Sequence, residues 1–457
     1  MSDDEEGTIE FIVDSLEANA LDDAEDLEFD AETAELLSEG DEDEIGGIDD
    51  HDESEDPVAE ALKPGAPLFI LHKGAQHSGI LPAVAADITG RYRGALHVGV
   101  AASLPRTSPA ALKRFFDSMT SAAPIRFADP EAFARPDSLG QAIAAQRGDK
   151  PLVGRSGAHW SYFGDPQPGG YSDTWVQDVL DAQRSMGASV LLTPGLWADP
   201  TNMQASLASA RQQAIWARSA LAPGEHLAVN MTLTPPWLTN VTLRHKLLDE
   251  ILDMNESVFY IRVRWPLMPQ PYGQLLDPAL LDGYVELANV FEENDKVLIL
   301  PNTGLTGWIS LAWGTHGYST GIGAGERSFA DTRVIRMKRT NPRPAPTNRT
   351  FVGEVLHVTD VTTAGQLEQL GPGPCKCRFC ARQRQLPQWD KALAGAHYLR
   401  QAADLTAGVS THSRGRRTAA RQIVRTASSQ VALASAQVPL TATNDPKHLP
   451  IWAPLLR

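Results

Sequence analysis

Between residues 65 and 325, short apolar runs alternate with stretches whose apolar residues return every three or four positions. The runs read PLFILHKG (67–74), ALHVGVAA (95–102), IRFADP (125–130), ASVLLTPG (188–195), HLAVNMTL (226–233), SVFYIRVRW (257–265), KVLILPNTG (296–304) and HGYSTGIG (316–323). Each is the length of a strand and ends in a turn signal. Segments between them, such as SPAALKRFFDSM, SDTWVQDVLDAQRSM and LRHKLLDEILDM, carry the i, i+3, i+4 spacing of amphipathic helices. Eight strands alternating with helices predict a parallel sheet, and eight is the number that closes a (β/α)8 barrel. An open doubly wound sheet is the competing arrangement.

Barrel chemistry collects at the C-terminal strand ends. Here those ends carry Asp129, Thr193–Gly195, Asn230 and Thr232, Arg262 and Arg264, Asn302–Gly304, and Ser319–Gly325. Asp129 precedes Pro130 and could equally cap the next turn. GIGAGER (321–327) is either a glycine turn whose N–H groups bind a phosphate or a tight turn without a ligand. A long connection follows the third strand and includes VGRSGAHWSYFGDPQPGGYSD (153–173). Arg155 and His159 there are candidates for a phosphate or base contact, and Trp160 and Tyr162 for stacking; solvated or anchoring side chains are the plainer alternative.

Charge divides the chain. Residues 1–56 hold 26 of the 57 Asp and Glu and no Lys or Arg. Residues 57–457 therefore hold 40 basic and 31 acidic side chains, a formal +9, although the whole chain is at −17. The acidic stretch is expected to be disordered and to act as a solubilising arm, a nucleic-acid mimic over the basic body, or a partner-docking segment. SRGRRTAARQIVR (413–425) places Arg414, Arg417, Arg421 and Arg425 on one helix face, suited to a phosphate backbone or simply solvated. No run of 18 apolar residues predicts a membrane span, and the acidic N-terminus is unlike a signal peptide, so a cytoplasmic protein is expected.

All three cysteines fall in GPGPCKCRFCARQ (371–383), as Cys375, Cys377 and Cys380. Cys-x-Cys-x2-Cys is too tight for a structural disulfide, but it lets three thiolates converge on one cation from a turn. A tetrahedral Cys3His zinc site needs a fourth ligand. His397, on the predicted helix DKALAGAHYLRQAADL, is the first candidate and His412 the reserve. A closed set of four ligands is structural, not catalytic.

A predicted (β/α)8 barrel followed by C-x-C-x2-C and a downstream His resembles the tRNA-guanine transglycosylase superfamily over about residues 65–410. That superfamily includes a phage and bacterial branch that exchanges guanine for 7-deazaguanine in DNA. The gap to His397 is shorter than in the tRNA enzymes. ADPEAF (128–133) occupies the place of the family's D-S-G-G-F-like turn, and GTHGYSTG (314–321) that of its G-x-D-x-x-D-like segment.

The resemblance implies base exchange by two carboxylates, one forming a sugar–enzyme bond and one shuttling protons. Asp129 takes the acid/base place. The nucleophile place falls on Ser319 or Thr320, with His316 nearby and no Asp; Asp199, Glu326 and Asp331 are the carboxylates to consider instead. Asn230, Arg262, Gly321, Gly323 and Glu326 are the expected substrate contacts.

The implied partners are DNA or tRNA and a purine or deazapurine base, without a membrane, and with a possible homodimer through the zinc region. A catalytically degenerate barrel retained for nucleic-acid binding or assembly is the alternative. A barrel enzyme for a phosphorylated metabolite is a third possibility, and would hold an anion at Gly321–Gly325. The predicted division is an acidic tail over 1–62, the barrel over 63–335, a zinc-binding subdomain with the basic helix over 336–435, and an irregular tail over 436–457.

Overall fold

The computed structural model describes residues 56–74, 77–135, 171–266, 268, 272–330, 347–371, 373–412, 414–440 and 442–457. The acidic segment 1–55, the loop residues Arg155, His159, Trp160 and Tyr162, and Asp331 lie outside the described residues.

Nine parallel strands form the central sheet: β1 (Leu68–Lys73), β2 (His97–Ser103), β3 (Ile125–Asp129), β4 (Val190–Leu192), β5 (Trp197–Ala198), β6 (His226–Leu233), β7 (Val258–Val263), β8 (Val297–Leu300) and β9 (Gly317–Gly321). β4 pairs with β6, and β9 pairs back onto β1, so eight strands close a barrel. β5 is a two-residue extension beyond β4 that pairs with the end of β6. All eight predicted runs are barrel strands; β5 is too short to leave a periodic signal.

Alternation along each strand sorts the barrel. Leu68, Ile70, Ala101, Ile125, Phe127, Val190, Leu192, Ala228, Val258, Tyr260, Val297 and Ile299 point inward and fill the lower interior. A short helix, Pro57–Ala61, closes the N-terminal end with Val58 and Ala61, and its N-cap Asp56 bonds His226 at 2.6 Å. His316, at the same end, donates Nε2–H to the Ala61 carbonyl at 2.8 Å. Higher up, the inward positions turn polar: His72, Ser103, Asp129, Asn230, Thr232 and Arg262 are all buried.

The outer helices follow local signals. Ser172 caps Asp173–Met186, which Gly187 ends at φ +89°, and Asp277 caps Pro278–Glu293 with Pro278 at its first turn. The last helix of the ring is Lys391–Ser410, capped by Asp390. It lies against the outer face of β9, where Tyr398 Oη meets Thr320 Oγ1 at 2.7 Å and Tyr318 Oη meets Thr406 Oγ1 at 2.9 Å. Gly395 lets this helix approach Ile322, since a Cβ there would lie 2.4 Å from the Ile322 side chain.

The helix that carries His397 is therefore part of the barrel wall. Leu393, Tyr398 and Leu399 share one cluster with the barrel's outer face, while Val352, Val355, Ala364, Leu367 and Ala434 form a smaller cluster of their own beyond residue 335. Between β9 and this helix stand the antiparallel strands β10 (Arg349–Val352) and β11 (His357–Asp360) and the helices Val361–Leu370 and Arg378–Gln385.

Residues 436–457 are not an irregular tail throughout. Leu449–Leu455 is a helix, Trp452 is fully buried at 6.3 Å from Trp308, and Trp313 Nε1 donates to the Leu455 carbonyl at 3.2 Å. The prolines in LPIWAPLLR hide that helix from a periodicity search. Among the described residues no helix is long and apolar enough to cross a membrane.

Removing the Trp452 indole leaves a cavity between the last helix and the barrel wall. Trp452→Ala is expected to lower unfolding free energy by about 3–5 kcal/mol in urea melts; a change within about 0.5 kcal/mol, the usual range for a surface site, would contradict the packing.

Candidate active site and metal centre

β3 ends on Asp129, inward and fully buried. Its Oδ2 pairs with Nη2 of Arg262, which points inward from β7 and is equally buried. Its Oδ1 accepts the Glu131 N–H at 3.0 Å, so Asp129 also caps the turn after Pro130. Glu131 adopts a left-handed φ of +44°, and its Oε2 accepts from Arg106 Nε at 2.7 Å. Burial pushes the Asp129 carboxyl above its ordinary range even beside Arg262. Burial works the same way on Glu131, but Arg106 and then Arg262 outweigh it and hold that carboxyl low. Two neighbouring carboxyls are thus driven apart, one toward holding a proton and one toward staying charged.

Aromatic rings cover the pair. The Arg262 guanidinium lies 4.8 Å from the Phe133 ring centroid and 5.6 Å from that of Phe329. Phe133 meets Phe329 edge-on at 5.2 Å, and Trp197 stacks on Phe329 at 5.8 Å. Beside them several inward polar groups lack a hydrogen-bond partner among the described residues: Ser103 Oγ, Arg262 Nη1, and both amide atoms of Asn230. Asn230 is only 4% exposed. Its amide lies against Gly195 (φ +75°), where a Cβ would come within 2.2 Å of Nδ2. Bonds to these groups would come from ordered water or from a ligand in the mouth.

The β9 end differs from expectation. Ser319 is buried and inward, but its Oγ accepts the Asn302 N–H at 2.7 Å and ties β9 to the turn after β8. Thr320 faces outward onto Tyr398. His316 is not near the mouth; it lies at the N-terminal end with Ala61. Asp199 caps its own turn, accepting Thr201 N–H at 2.9 Å.

Gly321 and Gly323 do flank Glu326, but as the walls of its seat: Cβ atoms there would lie 2.4 Å from Glu326 Cβ and 2.3 Å from Oε2. Glu326 accepts the Gly323 N–H, so the glycine turn already serves a carboxylate of the chain itself.

His72, Ser103, Arg106, Glu131, Phe133 and Phe329 were not singled out in the sequence. His72 and Ser103 could have been, since Leu68-x-Ile70-x-His72 and Ala101-x-Ser103 carry the inward alternation from apolar to polar.

The second site is the cysteine turn. Cys375, Cys377, Cys380 and His397 bring their ligand atoms within 4.8 Å of one another, a group that could hold a metal ion. Cys377 caps the helix Arg378–Gln385, its Sγ accepting the Cys380 N–H at 3.4 Å. Cys375 Sγ accepts the Cys377 N–H at 3.4 Å. His397 Nε2 bonds the Phe351 carbonyl of β10 at 2.9 Å, which leaves Nδ1 facing the sulfurs, 3.5 Å from Cys377 Sγ. That outer bond fixes the tautomer a metal ligand needs. Three sulfurs and one imidazole nitrogen suit a soft or borderline divalent ion. His412, the reserve ligand, is outside this group and accepts the Arg414 N–H at 3.2 Å.

The basic residues sit on or just before the helix Arg416–Ser435. Arg414, Arg417, Arg421 and Arg425 are exposed. Arg417 nevertheless donates to the Ala312 carbonyl at 3.3 Å and Arg421 to that of Leu456 at 2.6 Å. Ala312 precedes β9, and Arg416 bonds Gly65 before β1, so this helix begins at the barrel's N-terminal end, opposite Asp129.

No protein-family model matches the chain, and no curated protein matches it. The fold and the two sites together define an α/β barrel protein with a polar, carboxylate-bearing mouth and a Cys3His cluster built into its wall.

Burial pushes His72 down to about 4 from 6.5. The unfolded chain therefore takes up a proton on His72 below pH 6.5, whereas the folded chain does so only near pH 4, so this group's contribution to stability falls as pH drops through that window. His72 alone should account for up to about 3 kcal/mol. His316 and His357, also held near 4 by burial, act in the same sense. Urea midpoints are expected to fall between pH 7 and 4.5, and less steeply in His72→Gln; equal slopes in both proteins would contradict the buried neutral imidazole.

Proposed function

We propose that the chain is a transglycosylase-like enzyme acting on nucleic acid, exchanging guanine for a 7-deazaguanine-type base in DNA or tRNA. One observation carries the proposal: Asp129, a buried carboxyl at the C-terminal end of β3 with its pKa pushed up, stands among inward groups left without partners. A carboxyl whose hold on a proton is strengthened by burial is suited to donating it to a departing purine and recovering it from the incoming base. The open amide of Asn230 offers a donor and an acceptor side by side, which matches the O6 acceptor and N1–H donor of guanine. Arg262 supports Asp129 by holding it in place and balancing its charge when it ionises. Glu131 stays charged through Arg106 and keeps that arginine over the mouth.

In this proposal the Cys3His cluster holds Zn2+. The four protein ligands leave no open position, so the ion fixes the turn against the barrel wall and takes no part in base exchange. A second proposal, a degenerate barrel that only binds nucleic acid or joins an assembly, draws support from Ser319, whose hydroxyl is committed to a backbone amide.

Labelled guanine supplied with DNA or with tRNA tests the first proposal. Wild type is expected to incorporate it into one polymer, and Asp129→Ala to lose at least about a hundredfold in rate. Wild type binding both polymers but incorporating into neither would leave the binding-only alternative. Separately, elemental analysis should find about one zinc per chain in wild type and less than about a tenth of that in Cys377→Ala; near-stoichiometric zinc in the variant would refute the ligand set.

A further inference from the structure

Base exchange at an anomeric carbon consists of two displacements, and a carboxylate is the group suited both to attack and to stabilise the cationic sugar between them. Ser319 is a neutral hydroxyl whose Oγ accepts the Asn302 N–H, and it lacks the charge that would stabilise the cationic sugar. The structure offers another group a few residues on.

Glu326 lies on the short helix Ala324–Arg327 after β9, and three glycines make room for it. A Cβ on Gly321 would come within 2.4 Å of Glu326 Cβ, one on Gly74 within 2.3 Å of Oε1, and one on Gly323 within 2.3 Å of Oε2. Gly321 shares the inward side of β9 with Ser319, and Gly74 continues the inward series Leu68, Ile70, His72 of β1. The carboxylate therefore rests on the inner side of the wall at the tops of β1 and β9.

Strand register relates it to Asp129. Lys73 pairs with Ala102, which sets Gly74 beside Ser103, and Ser103 pairs with Asp129. Ser103 and Asp129 are thus paired on β2 and β3, and Gly74, one residue past β1, continues their row. Adjacent strands lie about 4.8 Å apart, so the two carboxylate positions are separated by about 10 Å of wall. The buried Ser103 hydroxyl between them has no partner among the described residues. Arg327 Nε and Nη2 donate to the Gly321 and Ile322 carbonyls at 2.9 Å and its guanidinium packs 3.5 Å from the Tyr398 ring centroid, while its charge favours the ionised Glu326 carboxyl against the burial that raises its pKa.

We propose that Glu326 is the nucleophile of the mouth, facing Asp129 across the Ser103 position; this rests on the base-exchange proposal above. A Glu326 oxygen bonds to C1′ of the nucleoside as the C1′–N9 bond breaks. The electron pair leaves on guanine, and Asp129 supplies the proton. The incoming base then attacks C1′ through its ring nitrogen, the ester bond breaks with its electron pair returning to Glu326, and Asp129 takes up the displaced proton.

The experiment uses the full chain, the polymer that exchanges guanine, and quenching in denaturant without added base. Wild type is expected to give a denaturation-resistant protein–nucleic acid adduct that maps to the peptide containing Glu326. Glu326→Gln should lose the adduct and at least about a thousandfold in exchange while binding the polymer as wild type does. Glu326→Ala, a second variant should the first not fold, should recover part of its exchange with added formate.

Either variant exchanging within tenfold of wild type, or an adduct on another residue, overturns the assignment and leaves base exchange standing. No exchange by wild type on DNA or tRNA overturns both.

Discussion

Taking a carboxylate and a guanidinium out of water together costs several kcal/mol for each ion, and their attraction offsets this only where the geometry is good and the remaining donors and acceptors are met. Asp129 and Arg262 meet these terms in part. The carboxylate has Arg262 on one oxygen and the Glu131 amide on the other. The guanidinium has aromatic faces from Phe133 and Phe329, but Nη1 is left without a partner. The pair joins β3 to β7 across the barrel, so the positions of both strand ends depend on it. A hydrophobic pair of similar volume would hold these strands at least as well. The polar pair therefore depends on the apolar layers beneath it for its stability.

The wall that supports this mouth is completed late in the chain. The helix Lys391–Ser410 contributes His397 to the metal centre and, one residue later, Tyr398 to the barrel. Tyr398 bonds Thr320 and stacks on Arg327, and Arg327 grips the Gly321 and Ile322 carbonyls. A chain of contacts therefore runs from the Cys3His cluster to the glycine turn around Glu326. The Cys3His cluster thus engages the same helix whose other contacts shape the mouth.

Much of the barrel was legible because strand and helix periods differ. Eight apolar runs with turns gave the eight barrel strands, and the inward–outward sorting followed from period two. The cysteine cluster was legible for a different reason: its ligands are nearly contiguous, and the fourth lies on one regular helix face. The C-terminal helix was not legible, because Pro450 and Pro454 read as breakers while Trp452 gains its place only by packing on Trp308. The arginine face from 414 to 425 was visible as a spacing. Its location at the end of the barrel opposite Asp129 was not, since that depends on where Gly65 and Ala312 stand in three dimensions.

At the eighth barrel strand the side chain on the strand and the side chain on the following turn meet different constraints. Alignment along the chain looks for a carboxylate at Ser319, because side chains on a strand are fixed to the register of that strand. A side chain on the following turn can reach the same space if the wall has been thinned for it. Gly321 thins it at the end of β9, Gly74 just beyond the end of β1, and Gly323 in the turn itself. Gly74 is some 250 residues from Glu326 in sequence, so the correlation between them exists only in the closed barrel. Larger residues at any one of the three would displace the carboxylate by roughly the width of a methyl group, about the scale on which catalytic geometry fails. The glycines in GIGAGER thus look like a phosphate turn in sequence and act in the fold as room for an acid.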